Sequence, residues 1–150
     1  MRRTSSIALA AALIVGCGGD GYDVVLRVLE PDSASVALIE ASVLVGCSEL
    51  DAMPSMPDPP VAVQLVEIRP GDPGPSFTPI ATGTYGFAAR AFTSDCSLVA
   101  WTCHDVHVEA GGEGRIDLVL DQYDPGSPVC KLGTVCIDAR CYETDAGTGS

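Results

Sequence analysis

The sequence predicts an all-β domain, an antiparallel sandwich, on three observations. Apolar and polar residues alternate over six to eight short segments, the period of a half-buried strand. Proline and glycine clusters break the chain at Met53–Pro60, Pro70–Pro75 and Asp124–Pro128. No segment carries a convincing amphipathic-helix pattern, so the apolar faces must be buried sheet against sheet.

The first strand is expected from Asp23 to Glu30, where Val24, Leu26 and Val28 alternate with Val25, Arg27 and Leu29, and Pro31-Asp32-Ser33 ends it. Val36 to Gly46 also reads as strand, because Val36, Ile39, Val43 and Val45 are stiff at χ1 and suit a pleated surface. Four prolines make Met53–Pro60 a loop, since proline neither donates to a ladder nor continues a helix. Val61 to Arg69 is the next strand, and a short edge strand is expected from Phe77 to Ala81 after the Pro70–Pro75 turns. The clearest β signal is Gly83 to Phe92, with Tyr85, Phe87, Ala89 and Ala91 on one face toward the core. A loop follows. Val106 and Val108 then share a face. After the Gly111–Gly114 turn Ile116, Leu118 and Leu120 do the same, alternating with Arg115, Asp117 and Asp121.

Charge narrows the partners. The 150 residues carry 8 Lys plus Arg against 20 Asp plus Glu. Without residues 1–16, which hold Arg2 and Arg3 and no acid, six cations face the same 20 acids, a charge near -14. Nucleic-acid binders need clustered Lys and Arg on the phosphates, so no nucleic-acid partner is expected. The acids are scattered through apolar strands, and 47% hydrophobic content marks a globular chain rather than an acidic disordered one.

Arg2-Arg3, the apolar run Ile7 to Val15 and the small Gly16 have the layout of a secretory signal peptide. The run is nine residues, under half of the roughly 20 a membrane-spanning helix needs. Ile14-Val15-Gly16-Cys17 resembles the lipobox of bacterial lipoproteins, with Ile where Leu is usual. That resemblance implies cleavage after residue 16, acylation of Cys17 and a lipid bilayer as partner. Gly18 in place of Asp after the cysteine implies the outer membrane of a Gram-negative cell envelope. The expected organisation is a signal peptide at 1–16, a lipidated linker at 17–22, the sandwich at 23–122 and a cysteine-bearing tail at 123–150. An ordinary signal peptide, leaving Cys17 for a disulfide, is the alternative. Seven cysteines favour the lipid reading by parity: one is acylated and six pair.

Gly83-x-Tyr85-x-Phe87-x-Ala89-x-Ala91, with the two strands after it, resembles the closing strands of collagen-adhesin B-type, carboxypeptidase regulatory-like and transthyretin-like domains. The resemblance covers about Thr84 to Asp121. It implies an Ig-like secreted sandwich serving as a stalk, spacer or binding module. The isopeptide bond of some such domains is not expected, because the single lysine, Lys131, lies outside the sandwich.

Cys96 and Cys103 bracket six residues and the single Trp101, and a local disulfide between them is the simplest reading. Closing so short a loop removes about 2.5 kcal/mol of unfolded-state entropy. Cys130, Cys136 and Cys141 resemble the small C-x-x-G-x-x-C-x-x-x-x-C knots appended to secreted bacterial proteins. Three cysteines cannot all pair among themselves, so Cys47 with Cys130 and Cys136 with Cys141 are expected, which staples the tail to the sandwich. Thr144 to Ser150, small and polar, is expected to be a disordered end.

No catalytic constellation, cofactor site or metal site is expected. His104 and His107 fall on opposite faces of a strand. Asp105, His107 and Glu109 share an exposed face, the one alternative for a small metal-dependent or hydrolytic protein. Asp117, Asp121 and Asp124 lack a compact calcium loop. Ser97 near His104 and Asp105 has no G-x-S-x-G elbow. Tyr22, Tyr123 and Tyr142 are scattered and form no platform. The expected function is a non-enzymatic envelope lipoprotein, a binding, adhesion or spacer module with an envelope protein or glycan as partner. An accessory subunit of an envelope complex is the further alternative.

Overall fold

The computed structural model describes residues 22–28, 35–55, 61–109, 114–123 and 129–144. The expected leader, the lipid site at Cys17, most of the linker, Asp124 and the end beyond Thr144 lie outside the described residues. In chain order the described residues form β1 Tyr22–Val28, β2 Val36–Leu44, α1 Ser48–Ala52, β3 Ala62–Ile68 and β4 Ser76–Phe77. Then come β5 Gly83–Thr93, β6 Leu98–Val108, β7 Gly114–Gln122, β8 Thr134–Ile137 and β9 Arg140–Glu143.

The strand order is β3-β2-β5-β6-β7-β1-β4, with β8-β9 a separate hairpin. The seven strands make two layers that meet at one corner, where Ala100 opposes Gln122 and Trp101 opposes Asp121. Between the layers lies the main core. Val36, Ile39, Ala41 and Val43 of β2 pack with Phe87, Ala89 and Ala91 of β5, and with Phe77, Val108, Leu118 and Leu120. Burying each large apolar side chain contributes roughly 1.5–3 kcal/mol. Phe77 and Phe87 cross the layers edge to face, with centroids 6.0 Å apart. The alternation read from the sequence is the alternation found: Phe87, Ala89 and Ala91 are buried, and Tyr85, Val106 and Ile116 pack partly buried against them. Gln64 closes one open side. Its side-chain amide pairs with the Thr78 backbone in both directions, each at 2.9 Å, tying the edge strand β3 to the chain leaving β4.

Three elements depart from the sequence reading. β1 and β7 pair in parallel, Tyr22 opposite Gly114 through Val28 opposite Leu120. Antiparallel pairing is obligatory only for strands joined by a tight hairpin, and the whole sandwich separates these two. The short strand β4 is Ser76–Phe77 rather than Phe77–Ala81. Most consequential, β6 begins at Leu98, so residues 98–105, read as part of a loop before Val106, are eight of the eleven residues of a strand. A three-residue turn, Ser94-Asp95-Cys96, joins β5 to β6, with Thr93 and Ser97 bonded across it and Cys96 at φ 64°. A left-handed residue at that point completes the common three-residue hairpin.

That strand overturns the expected cysteine pairing. The six described cysteines form disulfides, but the bonds are Cys47–Cys103, Cys96–Cys136 and Cys130–Cys141. Cys96 and Cys103 lie seven residues apart with Leu98–Cys103 extended, roughly 16 Å or more at about 3.3 Å per residue. A disulfide needs Cα atoms within about 6.8 Å, so these two cannot join. The tail is stapled to the sandwich, through Cys136 to Cys96 rather than through Cys130 to Cys47.

The outward face of β2-β5-β6 carries a third layer. At one end Leu44, Leu50 of α1 and Ala88 cluster, held by the Cys47–Cys103 bond. At the other, Leu38, Phe92 and Leu98 pack under Val129 and Ala139 of the tail. Trp101 touches both clusters. Gly86 permits the first: a Cβ there would stand 2.9 Å from the Gly46 carbonyl carbon and 3.0 Å from both Cys47 N and Sγ.

Candidate functional site

Between the two clusters the outward face turns polar. Glu40 of β2 and Arg90 of β5 are cross-strand partners, and Arg90 donates to Glu40 Oε2 through Nη2 at 2.6 Å and Nε at 3.1 Å. Its Nη1 donates to the Pro54 carbonyl at 3.4 Å, and its guanidinium lies 5.1 Å from the Phe92 ring centroid. Arg90 is only 5% exposed. A charge this deep persists because it is paired and hydrogen-bonded.

The tail hairpin stands over this pair. Its turn, Asp138-Ala139, has φ 56° and 64°, the left-handed pair that a two-residue hairpin demands and that Asn-Gly usually fills. Ala139 offsets the strain by burying its methyl against Phe92 and Leu98 while its N–H donates to the Ser94 carbonyl. Arg140 pairs with Glu67 of β3. The result is a cleft of about 390 Å³ between hairpin and sheet, with Glu40, Arg90 and Phe92 on the floor. Glu67, Lys131, Arg140, Tyr142 and Glu143 line its walls. Small-molecule sites fall at roughly 300–1,000 Å³ with a few convergent polar groups. Three of the eight Lys and Arg of the chain meet three Glu here, so the cleft offers donors and acceptors in equal measure on an otherwise acidic protein.

The residues weighed from sequence lie elsewhere. Asp105 and His107 lie on the exposed outward side of β6, while Glu109 is exposed just past the strand's end at Val108. Asp105 Oδ1 accepts the Cys47 N–H at 3.1 Å, and His107 Nδ1 lies 3.3 Å from Thr84 Oγ1. Among the described residues the group of potential ligand atoms that converges within 4.8 Å is a different one, the sulfurs of Cys96, Cys130 and Cys136, all in disulfides. His104 points to the opposite side from His107 and sits 3.3 Å from Thr102 Oγ1. Ser97 is held in the β5–β6 turn by Thr93, away from His104. Asp117 pairs with Arg27 and Arg115 on the surface. In the same turn Asp95 accepts from Thr93 Oγ1 and from Ser97 N–H, and chiefly the Thr93 hydroxyl holds its carboxyl below the ordinary value.

Of the cleft residues, Lys131, Tyr142 and Cys141 are singled out by the sequence, Cys141 as a disulfide partner and none as part of a binding or catalytic site. A signal existed for two others. Glu40 is the one charge inside the apolar run Val36–Gly46, and Arg90 the one charge in the strongest strand. A charge on the outward side of a strand normally faces water, so the pair becomes visible only once the tail is folded over it. Among the described residues no helix is long and apolar enough to cross a membrane. No known protein family, curated protein or solved structure matches this chain.

Proposed function

We propose that this chain is an envelope lipoprotein, tethered to a bilayer through acylated Cys17, and that it acts as a binding module rather than an enzyme. The tail-walled cleft is the observation that carries the reading. Its alternating Arg, Lys and Glu side chains, with the exposed ring of Tyr142, suit a polar segment of an envelope protein or a glycan. Three disulfides suit an oxidising, exported setting. The lipobox-like Ile14–Cys17 supplies the tether, because two or three acyl chains hold a protein stably where one does not.

The test is a crosslinking pull-down from intact envelopes with the full chain, run beside Lys131→Glu with Tyr142→Ala, two exposed cleft positions. The expected result is a partner captured by the parent chain and lost with the double variant. Equal capture by both refutes the cleft. Cys17→Ala tests the tether separately: it should release the protein from membranes, and a bare thiol at Cys17 in the parent, by mass spectrometry, refutes lipidation.

The accessory-subunit reading has its own supporting observation. β3 is an edge strand whose outward Val63 and Leu65 are 48% and 46% exposed, next to Val61. Unpaired edges with apolar side chains invite another strand. Val63→Lys with Leu65→Lys should abolish co-purification with a larger complex while leaving cleft-dependent capture intact.

A further inference from the structure

The two tail disulfides lie against each other. Sulfurs of Cys96, Cys130 and Cys136 fall within 4.8 Å of one another although they belong to two bonds, Cys96–Cys136 and Cys130–Cys141. The backbone fixes this: Val129 N–H donates to the Cys96 carbonyl at 3.0 Å, so Cys130 directly follows the residue bonded to Cys96. Cys136 and Cys141 oppose each other across the β8–β9 hairpin. Opposed residues have Cα atoms roughly 4.5–5.5 Å apart, inside the window of about 4.4–6.8 Å for a disulfide. Each of these four cysteines therefore has a second partner within reach. Access is graded: Cys141 is exposed, Cys130 and Cys136 are half-buried, and Cys96 is buried.

We infer that this cluster is a thiol–disulfide exchange site, entered at Cys141 by an external thiolate, which converts the observed pairing into Cys96–Cys130 with Cys136–Cys141. In the first step the external thiolate attacks Cys141 Sγ. The Cys130–Cys141 bond breaks, a mixed disulfide forms on Cys141, and Cys130 leaves as thiolate. Cys130 then attacks Cys96 Sγ, which breaks the Cys96–Cys136 bond and releases the Cys136 thiolate. Finally Cys136 attacks Cys141 across the hairpin and expels the external thiolate. Two protein disulfides are present before and after, and the entering thiolate is regenerated, so no oxidant or reductant is consumed. The conversion moves the hairpin's anchor from Cys136, within β8, to Cys130, ahead of it, and so frees a wall of the cleft to shift. The exchange does not depend on what the cleft binds, because its readout is the sulfur pairing alone.

The full disulfide-bonded chain, incubated anaerobically with substoichiometric reduced glutathione, acid-quenched, alkylated and digested without reduction, gives the test. Trypsin cuts after Lys131 and Arg140 and puts Cys130, Cys136 and Cys141 on separate peptides; chymotrypsin cuts after Trp101 and separates Cys96 from Cys103. The expected result is the Cys96–Cys130 and Cys136–Cys141 linkages in roughly 1–10% of molecules, the population of a minor state a few kcal/mol away, with Cys47–Cys103 unchanged. Recovery of the original linkages alone, with or without reduced Cys130 and Cys141, overturns the inference. Cys141→Ser leaves Cys130 as a thiol from the outset. Without added glutathione, alkylation should then divide between Cys130 and Cys136, and alkylation confined to Cys130 contradicts the exchange.

Discussion

The sandwich and the tail are held by different forces. In the sandwich, side chains from both layers bury one continuous apolar core, and alternation alone decides which residues enter it. The tail buries Val129 and Ala139 and leaves Leu132, Val135, Ile137 and Tyr142 exposed. It is kept in place by the Cys96–Cys136 bond, the Arg140–Glu67 pair and a left-handed turn seated against Phe92 and Leu98. Burial is non-directional and reads out in sequence periodicity, whereas covalent and ionic ties read out only in space. The polar cleft forms where the second kind of attachment crosses the first.

The sharpest way to separate the two regions is to remove the core's central ring. Phe87→Ala should destabilise the whole domain by about 3–5 kcal/mol, measured by denaturant unfolding, because the site sits at the middle of a packed layer. Glu40→Ala strikes the junction, leaving the Arg90 guanidinium buried without its carboxylate. A loss of about 2–4 kcal/mol is expected, and Glu40→Leu with Arg90→Met should recover much of it. Gly86→Ala drives a methyl into the Gly46-Cys47 backbone and should cost about 1–3 kcal/mol, read as a lower melting temperature with the Cys47–Cys103 bond intact.

The smallest effect is a pH effect. Asp95 has a folded pKa below its ordinary value of 3.8, so its bond to Thr93 stabilises the fold above that value and is lost as pH falls through the folded pKa. Asp95→Asn should therefore differ from the parent at neutral pH, begin to converge with it only below about pH 3.8, and meet it once pH has fallen through the lower folded pKa in acid-unfolding curves. A difference that widened in acid would reverse the sign and refute the assignment.

Most of the sandwich was legible because period-two patterns in Gly83–Phe92 and Ile116–Leu120 have one physical solution, a face turned inward. The start of β6, residues 98–103, was not, because Val99 and Trp101 lie between two cysteines whose spacing suggests a closed loop, and both of its faces are covered, the outward one by a layer absent from local sequence. The parallel pairing of β1 with β7 is set by the closing of the whole domain and leaves no local signature. The cleft was hidden for a related reason. Glu40, Glu67, Arg90 and Arg140 come from four strands, and each alone resembles an ordinary solvated charge.

A peptide map of the untreated, unreduced chain, digested with trypsin and chymotrypsin and read by mass spectrometry, tests most directly whether the tail is fastened to the sandwich. The expected linkages are Cys47–Cys103, Cys96–Cys136 and Cys130–Cys141. A map joining Cys96 to Cys103, or leaving the tail cysteines linked only to one another, would contradict it and remove the wall on which the cleft depends.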